Sequence, residues 1–362
     1  MGTRGVPARY GGFETFAEEL STRLVARGHA VTVYARRKFF ATCPPVTYRG
    51  VSVVATPTLM HKYTETPLHA LTSFLDLFRR RHFDVVLLCN AANSPFAFLV
   101  RLRGLPLLIN VDGIERRRAK WNALGRLWYR LGELASVAFA SRIVADAEVI
   151  AAYYRERFNA PSTVIAYGAS ARPRPPGATL AEFNLKPRGY ILYVSRLEPE
   201  NNALGVVRAY EHAGHLGIPL VIVGDAPYAG DYIKAVRAAA GPNVIFTGYR
   251  FGEAYHELQS HCLLYIQATE VGGTHPALVE SMAYGNCIIA NGTPENREVL
   301  GDAGEFYPLN DFTALGTIIQ RLVDSPETIA RHRAAAEARA TALYRWDTIT
   351  DAYETLLCAY AR

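Results

Sequence analysis

Cysteine is scarce in this chain. There are five in 362 residues, Cys43, Cys89, Cys262, Cys287 and Cys358. Their number is odd, their spacing is wide and no Cys-x-x-Cys occurs, so neither a disulfide framework nor a structural zinc site is indicated. A reducing compartment fits that usage. Long apolar runs are missing too. No stretch reaches the ~18 residues needed to span a bilayer, and the opening residues lack the pattern of a secretory signal. The expectation is a chain that does not cross a membrane. No internal repeat, low-complexity tract or aromatic-basic platform is present, and nucleic acid is not an expected partner.

What is present is ordinary globular material. Half the residues are hydrophobic and a fifth are charged, a usual balance for folded proteins. The length suits two domains. Charge is placed unevenly: residues 1–175 carry 25 Lys and Arg against 12 Asp and Glu, whereas residues 176–362 carry 14 against 21. A basic first half points to an anionic partner such as a membrane surface, a pyrophosphate or nucleic acid. Alternatively, the basic residues simply solvate helix faces. Three dense runs stand out, Arg79–Arg81, Arg101–Arg103 and Arg116–Lys120.

Apolar strands alternate with amphipathic helices along the chain. A glycine-containing loop, residues 1–12, leads into a helical pattern from Phe13 to Arg27 and then a strand, Ala30–Tyr34. This is a βαβ unit without its first strand, and a start further upstream is the expected explanation. Strands are predicted at Val51–Ala55, Val85–Cys89, Leu107–Val111, Ile143–Ala145 and Val164–Ile165, with helices near 68–80, 93–103, 122–139 and 147–158. The stretch Ala171–Gly177, with three prolines, reads as a linker. The pattern then restarts with strands at Tyr190–Val194, Leu220–Val223, Val244–Phe246, Leu263–Gln267 and Cys287–Ala290. A surface helix at 325–342 and an amphipathic helix at 346–360 follow. Both halves are α/β and doubly wound, and ligands of such sheets bind at the carboxyl ends of the strands.

Residues 269–291 carry the densest signal. Gly272 and Gly273 lack Cβ and let backbone come close to a ligand. Pro276 suits a first helical turn and Gly285 a left-handed stop. A glycine-rich loop feeding a helix N-terminus is a ready anion site. Glu280, about a turn inside, would accept hydrogen bonds from a ribose. The plainer alternative is a strand-loop-helix unit with a solvated Glu.

Four segments in order, GTRGVPARYGGFET at 2–15, VDGIERRRAKW at 111–121, SRLEPENN at 195–202 and EVGGTHPALVESMA at 270–283, carry a resemblance. The chain resembles the retaining, nucleotide-sugar-dependent glycosyltransferases of family four over nearly its whole length. More specifically, it resembles the bacterial rhamnosyltransferase-type subgroup of capsule and cell-wall polysaccharide assembly. The resemblance implies the α/β GT-B fold, two doubly wound Rossmann-like domains facing a central cleft. Residues 1–172 would form the acceptor-side domain, 178–343 the nucleotide-sugar domain, and 344–362 a helix returning to the first domain. Hinge closure would then bring donor and acceptor together.

The resemblance also implies roles. Glu280 matches the second Glu of the family's paired-Glu motif, expected at the ribose. The first Glu of that pair is replaced by Gly272, as in the subgroup, and Glu270 lies two residues too early. Gly273, Thr274 and His275 would face the donor sugar and pyrophosphate, with His275 either a side-chain contact or only a helix-start residue. Arg196 matches the pyrophosphate-binding Arg, and a guanidinium is suited to the charge that grows on the leaving group. Asn201 stands where the family usually has Lys, as an uncharged donor. Gly11 and Gly12 would approach the same phosphates. Tyr249 and Arg250 sit where the family holds the base, Tyr249 either stacking on it or filling the core. Asp112, after Leu107–Val111, would hydrogen-bond acceptor or donor hydroxyls, or instead cap the following segment.

No dedicated general base is required, no Asp-x-Asp motif is present, and neither a metal nor another cofactor is expected. The implied substrates are a dTDP-rhamnose-type donor and a lipid-linked saccharide acceptor. The implied place is the cytoplasmic face of the inner membrane, held through Leu75–Arg81 and Arg116–Trp121 on anionic lipid. Two rivals remain: a sugar-nucleotide epimerase of the same fold, and a catalytically weak binding module prompted by Gly272, Asn201 and the absent strand.

Overall fold

The structure, a computed structural model, describes the chain apart from residues 9, 10, 41–45, 60, 62, 81, 119, 120, 227, 228 and 362. Arg9 and Tyr10 of the opening segment, Cys43, Arg81 and Lys120 thus lie outside the described residues. The chain divides into two compact units. One is Met1–Tyr167 with Trp346–Arg362, and the other is Gly168–Arg345.

The first unit runs α1 (Gly12–Ala26), β1 (Thr32–Arg36), β2 (Thr47–Tyr48), β3 (Val51–Thr56), α2 (Glu65–Arg79) and β4 (Val86–Cys89). It continues with α3 (Phe98–Leu102), β5 (Leu107–Val111), α4 (Ala123–Phe139), β6 (Arg142–Ala145), α5 (Glu148–Phe158) and β7 (Ser162–Val164). The strands form two sheets, β1-β3-β2 and β4-β5-β6-β7, parallel except where β2 meets β3. Met1–Arg4 stands between them, where the expected first strand would pair. The Met1 amine donates to Leu87 O at 2.7 Å, Cys89 N donates to Met1 O, and Arg36 N donates to Arg4 O. Glycine is required twice in this tight passage. Gly2 and Gly5 have φ of 92° and 110°, and a Cβ would come within 2.2 Å of Cys89 O and 2.4 Å of Ala35 Cβ.

The helix expected at 93–103 is in fact a 3-10 turn, Ala91–Phe96, followed by the single-turn α3. Asn90, at φ 71°, starts the turn by accepting from Ala92 N, and Pro95 lies within it. Both features oppose a continuous α-helix.

The second unit runs α6 (Ala178–Glu182), β8 (Ile191–Val194), α7 (Ala203–His212), β9 (Leu220–Val223), α8 (Gly230–Ala238), β10 (Val244–Gly248) and α9 (Glu253–His261). Then come β11 (Leu264–Gln267), α10 (Pro276–Ala283), β12 (Cys287–Asn291), α11 (Pro294–Leu300), β13 (Glu305–Tyr307), α12 (Phe312–Val323) and α13 (Pro326–Leu343). Its six strands are all parallel in the order β10-β9-β8-β11-β12-β13. The order reverses between β8 and β11, which makes that gap the topological switch point. β9, β11 and β12 are buried throughout, as a sheet covered on both faces demands.

Helix α14 (Trp346–Tyr360) belongs to the first unit. There, α2, α3 and α5 cover one face of the sheet through Phe74, Val100 and Tyr154. α1 and α14 cover the other through Phe16, Leu20, Trp346 and Tyr353. Phe16 and Tyr353 have ring centroids 5.1 Å apart, and Asn110 donates to the Tyr353 hydroxyl at 2.6 Å. Arg27 and His29 pair with Glu354 beside them.

One cap in the second unit lends itself to measurement. The first turn of α6 has no side-chain cap of its own, and Glu257 of α9 supplies one. Its buried carboxylate accepts from Gly177 N, Thr179 N and Leu180 N at 2.7, 3.1 and 2.9 Å. Burial pushes this acid upward, but the three donors outweigh it and hold it below its ordinary 4.5. Glu257→Ala is expected to destabilise the unit by about 1–3 kcal/mol at neutral pH. A depressed folded value means the contribution is full above pH 4.5 and fades as pH falls through the folded value. The wild-type and variant urea midpoints should therefore converge in that acidic window.

Candidate functional site

In the second unit the loops after β8 and β11 flank the switch point. Their backbones are joined, since Glu270 N donates to Glu200 O at 3.0 Å. Asn202, at φ 62°, reinforces the joint by donating to Ala268 O at 3.0 Å and to Glu270 Oε1 at 2.8 Å. Asn310 accepts from both Asn202 and Asn291, so three asparagines support the β11 loop from beneath. This scaffold escaped the sequence reading. Its only local signal is the Asn201-Asn202 pair, because each partner is distant in sequence.

Arg196 follows β8 with its side chain 38% exposed and Glu198 at 3.6 Å. Its backbone is fixed. Ser195 N donates to Val223 O, Leu197 N to Asp225 O, and Glu198 N to Arg196 O. Gly224 lets β8 and β9 close at this edge: φ is 138°, and a Cβ there would lie 1.8 Å from Ser195 O. The guanidinium thus projects from a rigid base at a carboxyl strand edge.

Asn201 is tied into its own loop. It is 3% exposed, and its Nδ2 donates to Arg196 O at 2.7 Å while its own carbonyl accepts from the Tyr193 hydroxyl at 2.6 Å. These bonds tie the Asn201 side chain to the backbone of Arg196 and its carbonyl to Tyr193. Arg250 is likewise engaged. It pairs with Glu182 at 2.5 Å, donates to Thr247 O and lies over the Phe183 ring. Tyr249 is half-buried and stacks on Phe251, with centroids 5.7 Å apart and planes at 19°. Phe251 is 48% exposed and offers the aromatic face of the pair that the sequence reading did not include.

The loop Thr269–His275 and helix α10 form as their residues dictate. Pro276 opens the helix and Gly285 closes it at φ 62°. Gly272 has φ 154°, and a Cβ would meet the His275 ring at 2.4 Å, so only glycine lets this imidazole fold back. Gly272, Gly273 and Thr274 are buried, and His275 is the N-cap residue without a side-chain cap bond. Glu280, half-buried, accepts from the Tyr255 hydroxyl of α9 at 2.5 Å, and Gln259 Nε2 donates to that hydroxyl at 3.0 Å. Burial and the Glu280 charge push the Tyr255 phenol well above its ordinary value, so it remains a donor. Tyr255 and Gln259 are further residues that sequence reasoning missed.

In the first unit, Gly11 is the N-cap of α1 and Gly12 its first residue. Gly11 is extended, and a Cβ there would meet only Glu14 Oε2 at 3.5 Å. The unit's own packing therefore does not demand glycine at that position. Glu14 accepts from Arg4 N and Glu18 from Ala8 N, which ties the preceding loop to the helix. Asp112 is half-buried just past β5 and close enough to Cys89, Tyr154 and Tyr167 to raise their values after burial does. It is not a cap, because the 3-10 turn Glu115–Arg117 starts at Ile114.

In the basic run at 116–121, Arg117 is exposed while Arg116 and Arg118 are paired. Arg116 bonds Glu133 at 3.1 Å and the Tyr153 hydroxyl at 2.9 Å, and buried Arg118 bonds Glu115 at 2.6 Å. At the other expected patch, Arg80 pairs with Asp76.

Two doubly wound parallel α/β units in one chain, the second with an Arg-bearing loop and a glycine loop at its switch point, are the architecture of the GT-B glycosyltransferases. Solved structures agree on the fold. The chain is similar to sucrose-phosphate synthase from Thermosynechococcus elongatus, with a TM-score of 0.80 at 19% identity over 98% of this chain and 96% of that one. It is also similar to Anabaena HepE in complex with UDP-glucose, with a TM-score of 0.78 at 16% identity over 97% of each. The chain belongs to the family-four glycosyltransferases: residues 10–171 match Glycosyltransferase Family 4, and residues 181–341 match Glycosyl transferases group 1. A curated relative, the O-antigen chain mannosyltransferase B of Escherichia coli, is 26% identical over 199 residues. That alignment covers 52% of this chain and 51% of the relative, so the chain spans about half its length.

Proposed function

We propose that this protein moves a sugar, with retention, from a nucleoside-diphosphate donor to a lipid-linked saccharide acceptor in polysaccharide assembly. The observation that carries the reading is the pairing of Arg196 with the Thr269–His275 loop at one switch point, fixed by the Glu270–Glu200 bond. Arg196 and the N-terminus of α10 would hold the pyrophosphate and stabilise its growing charge. Glu280 would take the ribose hydroxyls. The sugar–phosphate bond breaks, the bond to the acceptor oxygen forms on the same face, and the acceptor proton passes to a donor phosphate oxygen. Gly11 and Gly12 would approach the donor phosphates, and Asp112 would hydrogen-bond acceptor or donor hydroxyls. The step uses no metal, and turnover in chelator tests that part.

Rhamnose from dTDP-rhamnose is the specific reading, resting on the opening and Gly-Gly segments. The mannosyltransferase relative makes a mannose donor the chief competitor, and the UDP-glucose bound by HepE adds a third. A thermal-shift panel of nucleotide sugars, followed by product analysis with a polyprenyl-pyrophosphate-linked acceptor, tests the proposal. One donor should raise the melting midpoint and be consumed only with acceptor. Sugar isomerised without acceptor would favour an epimerase, and binding without turnover a binding module.

Tyr255 is a positioning residue in this scheme. Tyr255→Phe removes the hydroxyl that orients Glu280. The donor KM is expected to rise about tenfold with kcat nearly unchanged, the effect of one charge-assisted bond. An unaltered KM would remove Glu280 from the ribose.

A further inference from the structure

Helix α4 exposes its most apolar residues. Leu124, Leu127, Leu131 and Leu134 are 67, 53, 46 and 47% exposed. At 100° per residue the four fall within an arc of about 80° and along about 15 Å of helix. A row this regular is not the scattered exposure usual at surfaces. Beside it on the helix stand exposed Arg126 and Arg130. The single acid of α4, Glu133, is buried against Arg116 and Tyr153. The leucine face thus has arginine but no carboxylate next to it.

Neighbouring helices extend the patch. Phe98 of α3 meets Phe139 at the end of α4, with centroids 6.3 Å apart, and Arg101 reaches Ser141. Arg103 donates to Leu77 O of α2 at that corner. Leu75 and Phe78 of α2 and Phe98 and Leu102 of α3 are all exposed. Near that end of α2, Asp76 is taken up by Arg80 and Tyr34, and Asp84, exposed, follows in the connection to β4.

We infer that the leucine row of α4 lies in the interface of an anionic lipid bilayer, with Arg126 and Arg130 at the headgroups. Leucines with flanking arginines and no exposed acid are the composition of a helix that lies on such a surface. Among the described residues no helix is long and apolar enough to cross it. Charge also argues against a second copy as the occupant. A symmetric contact would gather the Arg126 and Arg130 of two copies at one seam, with no exposed carboxylate on α4 to receive them. The inference deepens the proposed function by naming the element that reaches the lipid, and it rests on that reading only for its purpose.

The test is co-sedimentation of the full chain with phosphatidylglycerol-rich vesicles and with phosphatidylcholine vesicles. Wild type should bind the anionic vesicles. Leu127→Glu with Leu131→Glu should weaken binding by at least about tenfold per leucine. Arg126→Gln with Arg130→Gln should weaken it about fivefold per residue on anionic vesicles only. Unchanged melting midpoints exclude misfolding, and Leu124→Ser with Leu134→Ser gives a second, milder pair. Wild type that ignores vesicles overturns the inference, as does a dimer that the Glu pair dissolves. Binding of equal strength to neutral vesicles overturns the role of the arginines. Neither donor nor acceptor enters the assay, so a failed transferase reading leaves its result intact.

Discussion

Arg196→Ala is expected to lower kcat/KM by about 10²–10³-fold, the effect of removing one donor aimed at developing charge. The fold should hardly notice. Its ion pair with Glu198 at 3.6 Å is partly exposed and worth little. The local turn is held by backbone atoms that alanine keeps, since Arg196 O still accepts from Asn201 Nδ2 and Glu198 N. Asn201→Ala makes the informative contrast. It leaves the guanidinium in place but unlatches the loop, so activity and melting midpoint should fall together. Arg196→Lys keeps the charge and loses the planar fork, and recovers only part of the rate. Steady-state kinetics with the cognate donor decide the matter. Full activity in Arg196→Ala would move the pyrophosphate elsewhere.

The second large effect is on stability. Arg36 is 5% exposed at the end of β1, and Glu65, at the start of α2, is 6% exposed. They form an ion pair, and Arg4 adds a second contact to the same carboxylate oxygen at 3.3 Å. Burial lowers the Arg36 value, yet the group stays cationic, and Glu65 is what compensates it. Glu65→Ala leaves that cation buried with its carboxylate gone, and about 3–5 kcal/mol of stability should be lost from the first unit. A paired replacement, Arg36→Met with Glu65→Leu, should recover most of it, because the buried cation is removed with its partner and only the more exposed Arg4 loses a contact. Urea denaturation of wild type, Glu65→Ala and the paired variant measures this, and a loss below about 1 kcal/mol for Glu65→Ala would show that water already reaches Arg36.

Residues that act through local geometry were readable in the sequence. Pro276 and Gly285 bracket α10 because each has a fixed backbone consequence. The apolar runs at 107–111 and 220–223 coincide with β5 and β9 because strands buried on both faces favour apolar residues, and Asn110, the polar residue among them, donates to the Tyr353 hydroxyl. β13 was passed over because it is three residues long and starts on Glu305, which pairs with Arg321 of α12. Helix α12 itself was missed although Asp311 caps it by accepting from Ala314 N. The site divides in the same way. Arg196 and the glycine loop are candidates on local sequence alone, whereas Asn201 reads identically as outward donor or inward latch until its carbonyl partner is known. Tyr255 and the Asn202, Asn291 and Asn310 scaffold depend on contacts across long stretches of sequence, which no spacing rule encodes.

The placement of α14 has a consequence for biosynthesis. The second unit, Gly168–Arg345, is continuous, but the first is assembled from both sides of it. Until Trp346, Ile349 and Tyr353 have emerged, one face of the first sheet and the Phe16–Leu20 side of α1 lack their cover. The usual vectorial order, in which the earlier domain matures first on the ribosome, is thereby inverted. The later-encoded unit can reach its native state while the earlier one waits with apolar surface open to chaperones.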